Sequence, residues 1–353
     1  MNLKFFLLLM FFVLLSGSVG AGTYKREYKL SVAEKPKLPW SEGATFFADL
    51  VRDRTQGRVN IKVYADASLM AGKWGDEFLF LKLGAADFAF ASALNWSLTL
   101  KELNLFNLPF LFPDYQGLDR VTEGYVGEKI KNDIRKKGVT ILAWGENGYR
   151  EISNNKRPIV KPEDLLELKV SVVNSPIFID IMKCFGVVPI NLNQRKAKEA
   201  LRRGVVDGQD CPVIGILIPE RVWEFCRYLT VWHYVVEPLM MAVNNHVWQS
   251  FSPVDREIIR QAAIEAAYWQ KMMVRRGLMP PNLSVYHELT KNGMQVTRLT
   301  PAQIAVFKTM AQPVYDKWVP KIGQKLYYQT LEVIKYGNGV EKLVNSKKAM
   351  KNF

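Results

Sequence analysis

Gly138-Val139-Thr140-Ile141-Leu142-Ala143-Trp144 and, four residues on, Gly148-Tyr149-Arg150 form the stretch on which the fold turns. An apolar run rich in β-branched residues, opened by a glycine, reads as a buried strand. Upstream, 28–33 alternates with period two, 59–64 reads as a second strand and 88–91 as a short buried third. Helical patterns separate them. One covers 40–55, with Phe46, Phe47, Leu50 and Val51 on one stripe and Gly57 at its end; others cover 74–83 and 119–137. The strand at 139–144 therefore closes a β-α-β-α-β succession, the order of a sheet covered by helices.

A second unit opens near Gly148. Strands are predicted at 169–173, 187–190, 227–231 and 238–243, and helices at 176–185 and 193–203, ended by Gly186 and Gly204. After Ser252-Pro253 the residues Ile258, Ile259, Ala262, Ala263, Ala266, Trp269 and Met273 recur at helical spacing. Ser252 is placed to cap that long helix, Pro253 to fill its first turn, and Pro280-Pro281 to break it. Residues 301–328 are again mostly helical. No Pro/Gly/Ser tether joins the two units, so strands are expected to serve as hinges.

The chain has 353 residues, 48% hydrophobic and 23% charged, which allows two domains and excludes a disordered or fibrous protein. Its formal charge is +14, which admits nucleic acid, anionic membranes or small anions as partners. The first segment narrows these. Lys4 precedes an apolar run from Phe5 to Leu15, and Val19-Gly20-Ala21 has the small residues of a cleavage site. That run is shorter than the roughly 20 residues a spanning helix needs, so 1–21 reads as a secretory signal peptide and the mature protein as soluble and exported. Nucleic acid is then a poor partner, and the basic residues are scattered (Lys29, Arg58, Lys82, Lys101, Lys131). The densest cluster, Lys342, Lys347, Lys348 and Lys351, reads as a solvated terminus.

Catalytic motifs are missing from the sequence. His233, His246 and His287 have no metal-ligand spacing, and Cys184, Cys211 and Cys226 form no CxxC. There is no GxSxG, P-loop or strand-borne GxGxxG. The expectation is a binding protein rather than an enzyme, with no cofactor and no metal, and with its site in the cleft between its two units.

Six stretches in order resemble the solute-binding subunits of TRAP transporters, the DctP family. They are Thr55-Gln56-Gly57-Arg58-Val59; Leu108-Pro109-Phe110-Leu111-Phe112; Gly148-Tyr149-Arg150 with Asn154-Asn155-Lys156-Arg157-Pro158-Ile159; Pro162-Glu163-Asp164-Leu165 with Leu168-Lys169-Val170; Gly204-Val205-Val206-Asp207-Gly208-Gln209; and Trp248 with Ser252-Pro253. The resemblance implies a periplasmic binding protein fold of two α/β lobes, each a β-sheet flanked by helices, with a long helix bracing both. It assigns 24–147 plus about 236–275 to lobe I, 148–235 plus about 276–320 to lobe II, and 321–353 to a C-terminal helical segment and basic tail. It implies a monomeric receptor that closes on a small organic anion and delivers it to the membrane subunits of a TRAP permease. An exported enzyme on the same scaffold, and a receptor serving a membrane sensor, are the competing readings.

The resemblance also assigns residues. Arg150 stands at the family's G-x-R arginine and is expected to be the main anion-binding group, its planar fork suiting a carboxylate. Ser171 stands where most members carry a carboxylate-clamping arginine. Cys211 stands where the family's D-G-Q-E-N-P has its asparagine, beside Asp210. Simple dicarboxylates are therefore expected to bind poorly. Strand ends supply the remaining candidates: Glu34, Asn95, Trp96, Asn174, Trp232 and His233, with Glu34 and Asp210 leaving room for a ligand amine.

Overall fold

The computed structural model describes residues 24–192 and 194–337. The expected signal segment 1–21 and the lysine-rich tail lie outside the described residues. In chain order the elements are β1 (Tyr28–Val32), α1 (Pro39–Arg54), β2 (Ile61–Tyr64), α2 (Glu77–Lys82), β3 (Phe88–Ser92), α3 (Ala93–Trp96), α4 (Tyr115–Thr122), α5 (Tyr125–Arg135), β4 (Val139–Asn154), β5 (Lys169–Val172), α6 (Pro176–Cys184), β6 (Val188–Asn191), α7 (Gln194–Arg202), β7 (Gly208–Pro212), β8 (Tyr228–Asn244), α8 (Asn245–Ser250), α9 (Pro253–Arg275), α10 (Ser284–Lys291), β9 (Gln295–Arg298), α11 (Pro301–Met310), α12 (Gln312–Ile322) and α13 (Gln324–Tyr336).

The sequence reading does not expect strands β7 and β9 or helix α10, and three of its expected elements differ. The strand expected at 139–144 runs on to Asn154 as β4. The strands expected at 227–231 and 238–243 are the two ends of one strand, β8. The helix expected at 119–137 is two, because the chain turns at Glu123-Gly124 so tightly that a Cβ on Gly127 would sit 1.9 Å from the Thr122 carbonyl oxygen.

The strand order is β2-β1-β3-β8-β4-β7-β5-β6, with β9 on β8. β1 runs parallel to β2 and β3, and β5 runs parallel to β6 and β7. The two parallel triplets flank the antiparallel pair β4–β8. One end of that pair joins β3 and the other joins β7, so both strands cross from one lobe to the other. Register slips interrupt the ladder between Ile141 and Ala143, Glu146 and Gly148, and Arg150 and Ile152. The second and third have a local cause or a local brace. Pro238, which offers no N–H, pairs with Glu146 at the second slip. There Gly148 takes φ +86°, close against Val274. At the third slip β8 bulges over 231–234, and buried Glu151 fills the gap. Its Oε2 accepts the backbone N–H groups of Trp232 (2.8 Å) and His233 (3.1 Å), and its Oε1 meets His233 Nδ1 at 2.5 Å. His233 takes φ 52° in this bulge.

Helix α9 begins as expected: Ser252 Oγ accepts the Asp255 N–H at 3.1 Å, and Pro253 sits in the first turn. The middle of its buried stripe is small (Ala262, Ala263, Ala266, Ala267), between Ile259 and Val274. Gln270 then grips the crossing strand. Its Nε2 donates to the Glu146 carbonyl (2.6 Å), and its Oε1 accepts the Glu146 N–H (2.9 Å). Helix α12 is a second brace. Tyr315 Oη donates to the Pro109 carbonyl at 2.7 Å, and Trp318 Nε1 to Asp180 on α6 at 2.7 Å.

Candidate ligand-binding site

Strand pairing decides which side chains can meet, because cross-strand partners share a face. On β4 and β7, Arg150 lies opposite Pro212 and Ile152 opposite Asp210, which puts Arg150 and Asp210 on one face. Cys211 lies opposite Glu151, and Ser171 opposite Gln209, on the other face. The two altered family positions thus share a face with each other and not with Arg150.

Arg150 is 2% exposed. Its Nε reaches both Asp210 oxygens (3.2 and 3.0 Å), and its Nη2 donates to Asp210 Oδ2 (2.8 Å) and to the Asp210 carbonyl (2.9 Å). Nη1 donates to Glu237 Oε2 on β8 at 2.9 Å, and the guanidinium lies 5.3 Å from the Phe178 ring centre. Of its five N–H donors, these contacts engage four. Burial works against the charge, but Asp210 and then Glu237 outweigh it and hold Arg150 protonated. The arginine is therefore a scaffold for two acids with one donor to spare, not the open fork that the sequence suggests.

The shell continues from both lobes. Tyr234 Oη donates to Asp210 Oδ1 at 2.7 Å. Ser92 Oγ donates to Glu237 Oε1 at 2.5 Å, and Asn147 Nδ2 to Glu237 Oε2 at 3.3 Å. Glu34, after β1, is buried and accepts the Trp40 N–H at 3.1 Å. Opposite it lies Gly215 in the π-turn Val213–Leu217. A Cβ there would sit 2.6 Å from Asn147 Oδ1 and 3.1 Å from Glu34 Oε1. At the rim, Lys35 Nζ crosses to Glu220 Oε1 at 2.6 Å. Residues from β1, β3, β4 and β8 thus meet residues from β7 and the π-turn in a polar cluster at the lobe junction.

The other candidates scatter. Cys211 faces the lobe II core, accepts from Gln209 Nε2 at 3.3 Å, and burial pushes its thiol up, away from thiolate chemistry. Ser171 is buried beside it. Trp96 and Trp232 are core residues, Trp96 edge-on to Phe78 and Trp232 enclosed by Phe110, Phe185, Phe307 and Tyr234. His233 belongs to the β8 bulge. Asn174 is exposed and accepts from Asn191 at 2.6 Å. Asn95 is half-buried in α3, where its N–H meets the Ser92 cap. Among the described residues, no group of three or more His, Cys, Asp or Glu side chains is arranged to hold a metal ion, and no helix is long and apolar enough to cross a membrane. A groove of about 590 Å³ beside α9, between Arg54, Trp144, Ile264 and Tyr268, holds none of the candidate residues.

Residues 30–321 match the family model described as bacterial extracellular solute-binding protein, family 7. The chain belongs to this family. This solute-binding protein is 42% identical to a TRAP periplasmic solute-binding protein of Ralstonia eutropha H16, solved with bound (S)-2-acetolactate. The match covers 88% of this chain and 99% of that one, with a TM-score of 0.85. It is 27% identical over 259 residues to the 2,3-diketo-L-gulonate-binding periplasmic protein of Escherichia coli, covering 73% of this chain and 77% of that one. It is 26% identical over 303 residues to the C4-dicarboxylate-binding periplasmic protein DctP of Rhodobacter capsulatus, covering 84% and 87%. The family's members are receptors, and their periplasmic names agree with the expected compartment.

Sequence reasoning missed Glu237, Asn147, Tyr234 and Gly215. Glu237 had a signal: it is the one acidic residue in the apolar run Val235–Val243, where an unpaired charge would be costly. Gly215 had none, since only the folded chain shows what faces it.

Proposed function

We propose that this receptor binds a small monocarboxylate carrying hydroxyl or keto oxygens and delivers it to the membrane subunits of a TRAP permease. The observation that carries the ligand class is the composition of the cluster at the lobe junction. Among the described residues the one cation bonded to its acids inside the rim is Arg150, already shared between Asp210 and Glu237, which leaves little for a second ligand carboxylate. The remaining groups (Ser92, Asn147, Glu34 and the spare Nη1 donor) suit uncharged oxygens and a single carboxylate. The relative bound to (S)-2-acetolactate, a branched hydroxy-keto monocarboxylate, supports this reading. The mechanism is closure of the lobes on the ligand, favoured only by the ligand's extra affinity for the closed state. The hinges are the slipped register of β4 and β8, with lobe I taken as 24–147 plus about 236–275 and lobe II as 148–235 plus about 276–320. Export after cleavage near Val19-Gly20-Ala21 and a non-catalytic role complete the proposal.

Calorimetry on the purified protein tests it. (S)-2-Acetolactate is expected to bind at least tenfold more tightly than succinate. Equal or tighter binding of succinate overturns the monocarboxylate reading. Turnover of the bound acid, followed by NMR, overturns the receptor reading.

A further inference from the structure

At the rim of the lobe junction an ion pair joins parts of the chain that the strand ladders keep apart. Lys35 sits just after β1, in the parallel triplet β2-β1-β3. Glu220 follows the π-turn after β7, in the triplet β7-β5-β6. The crossing pair β4–β8 lies between the two triplets, yet Lys35 Nζ reaches Glu220 Oε1 at 2.6 Å. Both ends are set in hydrogen-bonded backbone. The Glu34 carbonyl, next to Lys35, accepts the Asp66 N–H at 2.8 Å and the Ser41 hydroxyl at 3.0 Å. The Glu220 N–H donates to the Ile216 carbonyl at 3.0 Å, which ties it to the π-turn. Lys198 on α7 donates to the second carboxylate oxygen, Oε2, at 3.0 Å. Burial works against the charge of Glu220, whose side chain is 12% exposed, but Lys35 and Lys198 outweigh it and hold the carboxyl below its ordinary range. Deeper in the junction the same π-turn makes a second contact, where Gly215 lies against Glu34 and Asn147.

We propose that Lys35 and Glu220 are a latch: their ion pair forms when the lobes close and must break before they part, so it sets how long a ligand stays enclosed. The inference rests on the closing-receptor reading above and names the contact that governs release. Lys198 belongs to the same lobe as Glu220 and is a positioning residue, which fixes the carboxylate in both the open and the closed form. The pair comes together only at the end of closure, so it acts on release and not on capture. An ion pair with one half-exposed partner contributes a modest free energy, and that suits a latch in a receptor that must hand its ligand on. Its charges return to solvent when the lobes part, so salt weakens it.

Two measurements test this. The first needs no variant. A water-soluble carbodiimide converts a carboxylate to an acylisourea, which a touching lysine amine displaces to leave an amide and a urea; peptide mapping by mass spectrometry then shows which lysine was joined. The Lys198–Glu220 product, formed within one lobe, is the internal control. The Lys35–Glu220 product is expected too, and its yield relative to the control is expected to rise when (S)-2-acetolactate saturates the protein. Control product with no Lys35–Glu220 product in any condition overturns the latch. A yield ratio that bound acetolactate leaves unchanged makes the contact permanent and also overturns it. The second measurement is stopped-flow release of acetolactate. Lys35→Ala and Glu220→Gln are each expected to speed release about threefold at low salt, and the double variant no more than either, because both remove one interaction. High salt is expected to bring the wild type to the variants' rate. Equal release from wild type and variants, or effects that add, overturns the latch and leaves the closing receptor intact. Acetolactate that fails to bind overturns the ligand reading alone, since cross-linking of the ligand-free protein still decides the latch.

Discussion

Arg150, on the crossing strand β4, and Arg275, bonded to that strand from α9, each hold acidic side chains from two elements, yet their settings differ. Arg150 takes Asp210 from β7 and Glu237 from β8, and these partners are positioned by strand ladders. Arg275, at the end of α9, takes Asp119 from α4 at 2.6 Å and the buried Glu146 from β4, and it stacks 4.5 Å from the Tyr115 ring centre. Lys271, one turn earlier on α9, joins Asp119 and Glu123 at 3.2 and 2.6 Å. The α9 network therefore sets two cations against three acids and opens toward solvent. Among the described residues, the network at the lobe junction sets one cation against two acids, with Glu34 beside them, and is buried. The first is nearly complete as it stands. The second is acid-rich, which is what a site looks like when a ligand oxygen or a proton must complete it.

Removing Arg150 should have the largest effect. Deleting one partner of a buried pair strands the other charges and costs about 3–5 kcal/mol. Arg150→Ala is expected to fall by that amount in urea unfolding and to lose ligand binding as well. A variant with wild-type stability that loses binding alone would make Arg150 a simple ligand anchor and erase the contrast with Arg275.

Arg275→Ala should come second. Its network reaches solvent and retains Lys271, so the loss is on the order of 2 kcal/mol, the range of hydrogen bonds to charged groups. Unfolding should shift, while affinity for (S)-2-acetolactate should stay within about threefold, a span worth under 1 kcal/mol. A tenfold loss of affinity at unchanged stability would mean that the α9 network acts in closure and is not merely a brace.

The same contrast shows what the sequence could reveal. The strands β1, β2, β3, β5 and β6, the capped helix α9 and the family motifs were legible because each rests on local signals: apolar strand runs, helical spacing, Ser252-Pro253, and glycines at helix ends; β7 was not, because its Gln209 and Asp210 break any apolar pattern. The through-running strands were not, because polar residues break their apolar pattern. Glu146, Asn147 and Glu151 look like loop residues until Gln270, Glu237 and the β8 bulge are seen to satisfy them. The site was half legible. Arg150, Asp210 and Glu34, which the fold gathers into the candidate cluster, could be named from motif and strand ends. Their partnership could not, because face and pairing are set by strands more than fifty residues apart. Trp96 and Trp232 misled for the opposite reason: a tryptophan after a strand can as well close a core as line a cleft.

The smallest expected effect isolates burial from pairing. Glu77 on α2 is fully buried and accepts from Ser31 Oγ at 2.8 Å, with no cation bonded to it among the described residues. Burial pushes its carboxyl up to about 8, against the lowering pull of Ser31 and Trp96. A carboxyl whose folded pKa exceeds its unfolded value binds more protons in the folded state. Its contribution is therefore fully present below the unfolded value near 4.5 and is lost as pH rises through 8. Asp119 and Asp255, held below their ordinary range despite burial by Arg275 and Arg58 respectively, act the other way, and only as the medium becomes more acid than about pH 4. Stability should thus peak near pH 5 and decline toward pH 8, by about 1 kcal/mol per pH unit for a group such as Glu77. Glu77→Gln should flatten the slope by one such share in thermal unfolding from pH 5 to pH 8, with ligand affinity untouched. A profile equally steep in the variant would show that Glu77 is ionised in the fold. Uncompensated burial alone would then not neutralise a carboxyl in this protein, and the acid-rich cluster at the lobe junction would need another explanation.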